Sequence, residues 1–148
     1  PILTMESLEV QGLQSTDLDK KMPNLKNLLI LNSNKLEDVS FISGLKYLES
    51  LSFCGANKVT KFPHLAPLKE LRYLSLINMK LLTDILSIRE ANQLQSLRIA
   101  TNSFSLADLA WLSPEGFPLL EHITIKLKTM KETKTFLERF PKIGEIQY

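Results

Sequence analysis

One phrase recurs seven times along the chain: an apolar residue, two variable residues, a second apolar residue, one variable residue and a third apolar residue. The instances are Met5/Leu8/Val10, Leu25/Leu28/Ile30, Leu48/Leu51/Phe53, Leu71/Leu74/Leu76, Leu94/Leu97/Ile99, Leu120/Ile123/Ile125 and Ile143/Ile146/Tyr148. Other apolar positions keep the same register. Three residues before each start stand Ile2, Met22, Leu45, Leu68, Ala91, Phe117 and Phe140. Eleven after it stand Leu36, Val59 and Leu82, a row that Ser105 breaks between Phe104 and Leu106. Seventeen after it stand Ile42, Leu65, Ile88, Trp111 and Leu137. A repeat period in the twenties marks a solenoid in which each unit buries its apolar face only by stacking on its neighbours.

The spacing inside the phrase defines a strand. Residues at +3 and +5 point to one face of an extended segment, while +2, +4 and +6 point to the other. Equivalent strands then lie side by side in a parallel sheet about 4.8 Å apart, and each repeat returns behind it to close a continuous core. Pro23, Pro118 and Pro141 each stand two residues before a repeat start, where proline ends the return and extends the residue before it.

Most returns read as short turns or single 3₁₀ turns, as over 61–68. Two read as helices. Ser105 is placed to cap a helix through Leu106, Leu109 and Leu112, with Trp111 turned to the core and Pro114 and Gly116 stopping it. Met130, Thr133, Phe136, Leu137 and Phe140 follow helical spacing over about 131–140.

These residues resemble the leucine-rich-repeat superfamily over the whole chain. The resemblance implies an α/β fold, a right-handed horseshoe solenoid with a parallel concave sheet and mixed turns, 3₁₀ turns and short helices behind. The chain reads as one domain over 1–148, with repeats starting near 5, 25, 48, 71, 94, 120 and 143. Because it begins at Pro1 with the first repeat under way, it is expected to be part of a longer chain. Residues 35–45 and 59–69 resemble internalin-type bacterial repeats. The three Pro-x-Leu/Ile phrases, and the extra residue before Leu36, Val59 and Leu82, resemble the repeats of plant intracellular nucleotide-binding immune receptors. Both remain open. The superfamily's asparagine at +8, which bonds neighbouring turns in a ladder, is present only as Asn102; Ser33, Ala56, Met79 and Lys128 stand at the other sites. Asn34 and Asn57 come one residue later, where local bonding is expected.

Leucine supplies 29 of 148 residues, yet apolar content is 44% and charged content 23%, so the bias is that of a repeat core rather than a membrane segment. No apolar run reaches the ~18 residues of a span. The single Cys54 and the lack of an Asn-x-Ser/Thr site favour a reducing, cytoplasmic setting, with a bacterial surface location left open.

Function belongs to the exposed face of the sheet. The +2 row reads Ser7, Asn27, Ser50, Tyr73, Ser96, His122 and Glu145; the +4 row reads Glu9, Leu29, Ser52, Ser75, Arg98, Thr124 and Gln147. The +6 row reads Gln11, Leu31, Cys54, Ile77, Ala100 and Lys126. Leu31, Cys54, Ile77 and Ala100 thus form an apolar run on four neighbouring strands, with Leu29 and Tyr73 beside it and Arg98, Lys126 and Glu9 at its margins. A contiguous apolar patch with a polar rim suggests an interaction site. The competing reading is that the curved rim covers this row. The resemblance likewise implies that the concave face binds a protein partner. Its plant branch implies the alternative role of a ligand-sensing and autoinhibitory region.

Other chemistries are poorly supplied. Cys54 and His122 share the face but are three strands apart, about 15 Å, too far for a nucleophile and its base; His64 falls on the back. No phosphate-binding glycine loop, metal-ligand spacing, cofactor motif or small-molecule site stands out, and no enzymatic activity is expected. Lys126, Lys128, Lys131, Lys134, Arg139 and Lys142 cluster near the end, but Glu121, Glu132, Glu138 and Glu145 are interspersed and the net charge is +2. That pattern is a solvated face, and nucleic acid is not an expected partner.

Overall fold

The computed structural model describes residues 1–101 and 104–146, with Asn102, Gln147 and Tyr148 of the rows above lying outside it. Seven strands form one parallel sheet in chain order: β1 (Ser7–Gln11), β2 (Asn27–Leu31), β3 (Ser50–Cys54), β4 (Tyr73–Ile77), β5 (Ser96–Ala100), β6 (His122–Lys126) and β7 (Gly144–Ile146). Through β6, each strand pairs so that equivalent repeat positions are direct neighbours, as in Leu28↔Leu51 and Leu51↔Leu74. From β2 to β6 the +3 and +5 side chains are at most 2% exposed, so the alternation read from the phrase is the alternation of burial. Each such leucine or isoleucine contributes roughly 1.5–3 kcal/mol. The rows at the repeat start and three before it close the same core, into which Phe53 and Phe62 pack edge to face at 5.8 Å.

The first four strands end by a shared device absent from the apolar pattern. At +7 stand Gly12, Asn32, Gly55 and Asn78, with φ of 68, 44, 85 and 52°. Glycine and asparagine tolerate this left-handed region best. Each donates its N–H one step past the strand, Asn32 to Cys54 O at 2.8 Å and Gly55 to Ile77 O at 3.0 Å. The turn ladder also differs from expectation. Asn34 and Asn57 do not bond locally: Asn57 Nδ2 donates to Asn34 Oδ1 at 2.8 Å, and Asn57 Oδ1 accepts from Lys80 N at 3.4 Å, so an amide ladder runs one position late. Ser33 at +8 is fully buried and accepts the Leu13 N–H at 2.8 Å.

On the back, α1 (Leu18–Lys21) closes the first repeat, and 3₁₀ turns cover Ser40–Gly44 and Leu86–Glu90. The return between these turns has no 3₁₀ turn over 61–65; the short turn expected within 61–68 comes at 66–67, closed by the Leu68 N–H on Leu65 O at 2.9 Å. The matching turns begin at Val39 (φ −114, ψ 16) and Ile85 (φ −124, ψ 18). Phe62 takes that place in the third repeat, but it precedes Pro63, which disfavours such a conformation. Its N–H instead bonds Asp84 O at 2.8 Å, and the Leu65 N–H goes to Glu90 Oε1 at 3.4 Å.

The longer return is also not the helix expected. It contains two 3₁₀ turns, Ala107–Leu109 and Pro114–Gly116. Leu106, Leu109 and Leu112 are spaced by three, which suits three residues per turn. Ser105 is not the N-cap of the first of these turns, which is Leu106; it stands one residue earlier, its N–H on Asp108 Oδ2 at 2.8 Å and its Oγ accepting the Asp108 N–H at 3.4 Å. Leu112 takes the buried place assigned to Trp111, which stays half-buried with its indole N–H on Asp108 O at 3.0 Å. The second helix is real but runs earlier, as α2 (Met130–Leu137), started by Thr129, whose Oγ1 accepts the Glu132 N–H.

The last repeat is displaced. Gly144 pairs with Ile123 and Ile146 with Ile125, so the phrase is Pro141/Gly144/Ile146, two residues before the expected Ile143/Ile146/Tyr148. The cause is α2. A Cβ on Gly144 would stand 2.7 Å from Leu137 Cδ2 and 3.1 Å from the Phe140 carbonyl, so a side chain at the +3 place would require both to shift. A two-residue shift preserves the faces. Glu145 therefore moves from the +2 row to the +4 row, opposite Thr124.

Candidate functional site

The concave rows follow directly from the register. Leu31, Cys54, Ile77, Ala100 and Lys126 are successive neighbours in one line across β2 to β6. Leu31, Cys54 and Ile77 are half-buried, as is Leu29 one position pair back. Half-burial is the condition of a sheet residue that packs sideways on its strand neighbours while its tip faces solvent. Ala100 differs, being 7% exposed, so its methyl closes the row between Ile77 and Lys126 rather than extending its open surface.

Tyr73 is 50% exposed and stands between Ser50 and Ser96. Ser52 and Ser75 continue this low floor between Leu29 and Arg98. Small hydroxyl side chains keep the centre of the sheet shallow, so Tyr73 and Leu29 project beyond it. Toward the first strands the floor dips into a hollow of about 350 Å³ lined by Ser7, Glu9, Asn27, Leu29, Ser50 and Ser52. Asn27 Nδ2 donates to Ser7 Oγ there at 3.0 Å.

Charge varies along the solenoid. Glu9 lies on β1, next to Leu29, while Arg98 and Lys126 lie on β5 and β6, with Glu145 beyond the two cations on β7, opposite Thr124. The apolar residues occupy the strands between β1 and β5. Such a face can take an apolar element and orient it by charge, with aromatic Tyr73 the kind of side chain that anchors interfaces.

Cys54 on β3 is a free thiol and is separated from His122 on β6 by two intervening strands. His64 lies on the back of the third repeat, its Nδ1 3.2 Å from Glu90 Oε1. Among the described residues no three His, Cys, Asp or Glu side chains gather as a metal site, and no helix is long and apolar enough to cross a membrane. The apolar phrase did not reveal the left-handed strand exits, although Gly12, Asn32, Gly55 and Asn78 mark them in the sequence. Each follows the +6 residue directly and so ends the row that carries Leu31, Cys54 and Ile77.

No protein-family model matches the chain, and no curated protein matches it. Among solved structures, an internalin (inlF) from Listeria monocytogenes matches 99% of this chain with a TM-score of 0.62 at 23% identity. This chain spans 43% of that protein's length. Internalin C2 (inlC2) from the same organism matches over 97% of this chain and 71% of its own, with a TM-score of 0.46 at 20% identity. The first likeness is one of fold, and with the repeat register of the sheet it identifies the chain's architecture as a leucine-rich-repeat solenoid.

Proposed function

We propose that the chain is a protein-recognition module that binds a protein partner through the concave face of its sheet. The observation that carries this reading is the half-buried apolar line Leu31, Cys54 and Ile77, flanked by Leu29 and exposed Tyr73 and bordered by Arg98 and Lys126. An apolar centre inside a polar rim is the anatomy of a recognition surface. The partner contributes an apolar anchor to the Leu31–Ile77 line and acidic groups to the Arg98 and Lys126 side, where charge mainly sets orientation and association rate.

The test is affinity capture with mass spectrometry from the source cells, comparing the chain with a Leu31→Asp/Ile77→Asp double variant shown by circular dichroism to remain folded. Two anchor losses at an interface centre cost at least about 2 kcal/mol, roughly 30-fold in affinity. Partners that disappear only with the variant support the reading. Partners retained equally by both proteins overturn it.

A further inference from the structure

The back of the solenoid carries a second surface, created by Pro63. The 3₁₀ turns Ser40–Gly44 and Leu86–Glu90 stand on either side of an extended segment, leaving a groove of about 690 Å³. That volume is within the ~300–1,000 Å³ of ligand clefts. Most of its wall is apolar and includes Val39, Phe62, Pro63 and Leu86. Leu86, 54% exposed, offers a large apolar side chain to whatever enters.

Around this apolar surface stand Glu37, Asp38, Asp84 and Glu90 against Lys61 and Arg89. With Lys58 beside Glu37, four carboxylates stand against three cations, a formal charge of −1 with His64 neutral, on a chain whose net charge is +2. The nearby ion pairs Lys58–Glu37 (3.6 Å) and Lys61–Asp84 (4.0 Å) are long and exposed, so they hold the carboxylates weakly. Asp38 forms no ion pair among the described residues. It is fixed at one lip by the Ser40 N–H at 2.9 Å, and this bond also holds its carboxyl below the usual range.

The extended floor adds backbone groups. The bridge between Lys61 and Asp84 uses the Phe62 N–H and the Thr60 carbonyl. The N–H and C=O of Lys61 therefore point the other way, toward the second repeat.

We propose that this groove binds a short extended segment of a protein partner, seating an apolar side chain on Pro63 and Leu86 and a lysine or arginine against Asp38. This site is separate from the concave face, and either can fail without the other.

The probe is a random heptapeptide phage library selected on the folded chain, with recovered peptides resynthesised and titrated by calorimetry. Binding is measured to the wild-type chain and to its Asp38→Asn, Leu86→Asp and Ile77→Asp variants. Asparagine keeps an acceptor for the Ser40 N–H, so the turn is retained. The expected peptides pair Lys or Arg with an apolar residue, lose about two- to fivefold in affinity with Asp38→Asn, weaken with Leu86→Asp and are unchanged by Ile77→Asp. Recovery of no peptide overturns the proposal. So does recovery of peptides that bind Asp38→Asn and Leu86→Asp as well as wild type, or that are lost with Ile77→Asp.

Discussion

Replacing three glycines by alanine separates the backbone cost of the strand exits from the cost of crowding. Gly116 lies in a 3₁₀ turn with nothing within 4 Å of an added Cβ, so alanine there only restricts the unfolded chain. Such a change stabilises by about 0.4–1 kcal/mol. Gly12 is equally open but has φ +68°, so Gly12→Ala places an L side chain in the left-handed region at about 1–2 kcal/mol. Offset by the same unfolded-state gain, its net effect is a loss of about 0.5–1 kcal/mol. Gly55 combines φ +85° with an added Cβ 3.0 Å from Asn32 Oδ1, a side chain itself anchored on a left-handed residue. Its loss should reach about 1–2 kcal/mol. For a chain of this size each kcal/mol moves the midpoint by roughly 2–4 °C. Thermal unfolding followed by circular dichroism should therefore rank Gly116→Ala above wild type, then Gly12→Ala, then Gly55→Ala about 2–8 °C below wild type. Gly12→Ala as stable as Gly116→Ala would refute the left-handed exit. Gly55→Ala no worse than Gly12→Ala would refute the coupling to Asn32.

Two further predictions concern the C-terminal returns. Arg139 donates from Nη1 to Leu109 O at 2.9 Å and Leu112 O at 3.4 Å, with its guanidinium 5.1 Å from the Phe136 ring centroid, so it ties α2 to the preceding return. Arg139→Leu should cost about 1.5–3 kcal/mol in urea unfolding, and an unchanged midpoint would remove the tie from the stability of the fold. At Asp108, the Ser105 N–H and hydroxyl hold the carboxyl below its usual range. A depressed folded value means that the carboxylate contributes stability above the unfolded value of about 3.9 and loses that contribution as pH falls through the folded value. Asp108→Asn should thus melt below wild type at pH 7 and converge with it near pH 2; a gap of equal size at both would contradict the assignment.

Much of the architecture was legible because strand faces depend on local alternation. Leu51 and Phe53 alternate with Ser50 and Ser52, and Leu97 and Ile99 with Ser96 and Arg98, over one short strand, and the chain buries the pair in every described repeat from β2 to β6. The same alternation placed Leu29, Leu31, Tyr73, Ile77, Arg98 and Lys126 on the opposite face. Helical returns were less legible. Leu106, Leu109 and Leu112 fit a helix by eye, but spacing by three without a partner at four is that of 3₁₀ geometry. Burial within the candidate site was not legible either, since Ala100 and Cys54 occupy equivalent positions yet only Ala100 is shut from solvent.

What the sequence by itself determined is the repeat, the places of the strands through β6, the buried and open faces and the leucine-rich-repeat class. These follow from a period of two within each strand and a period in the twenties between strands, and neither requires knowledge of a neighbour's side chain. Only the tertiary structure decided the pairing of β7, the amide ladder through Asn34 and Asn57 and the groove on the back. Each depends on how one repeat fills space left by the next: Leu137 occupies the volume that a side chain at Gly144 would need, Asn57 reaches Asn34 across a repeat, and the extended segment at Pro63 lies between two turns that rise on either side. A local pattern sets the face a residue takes; packing against a particular neighbour sets its depth, its partner and the shape left open to solvent.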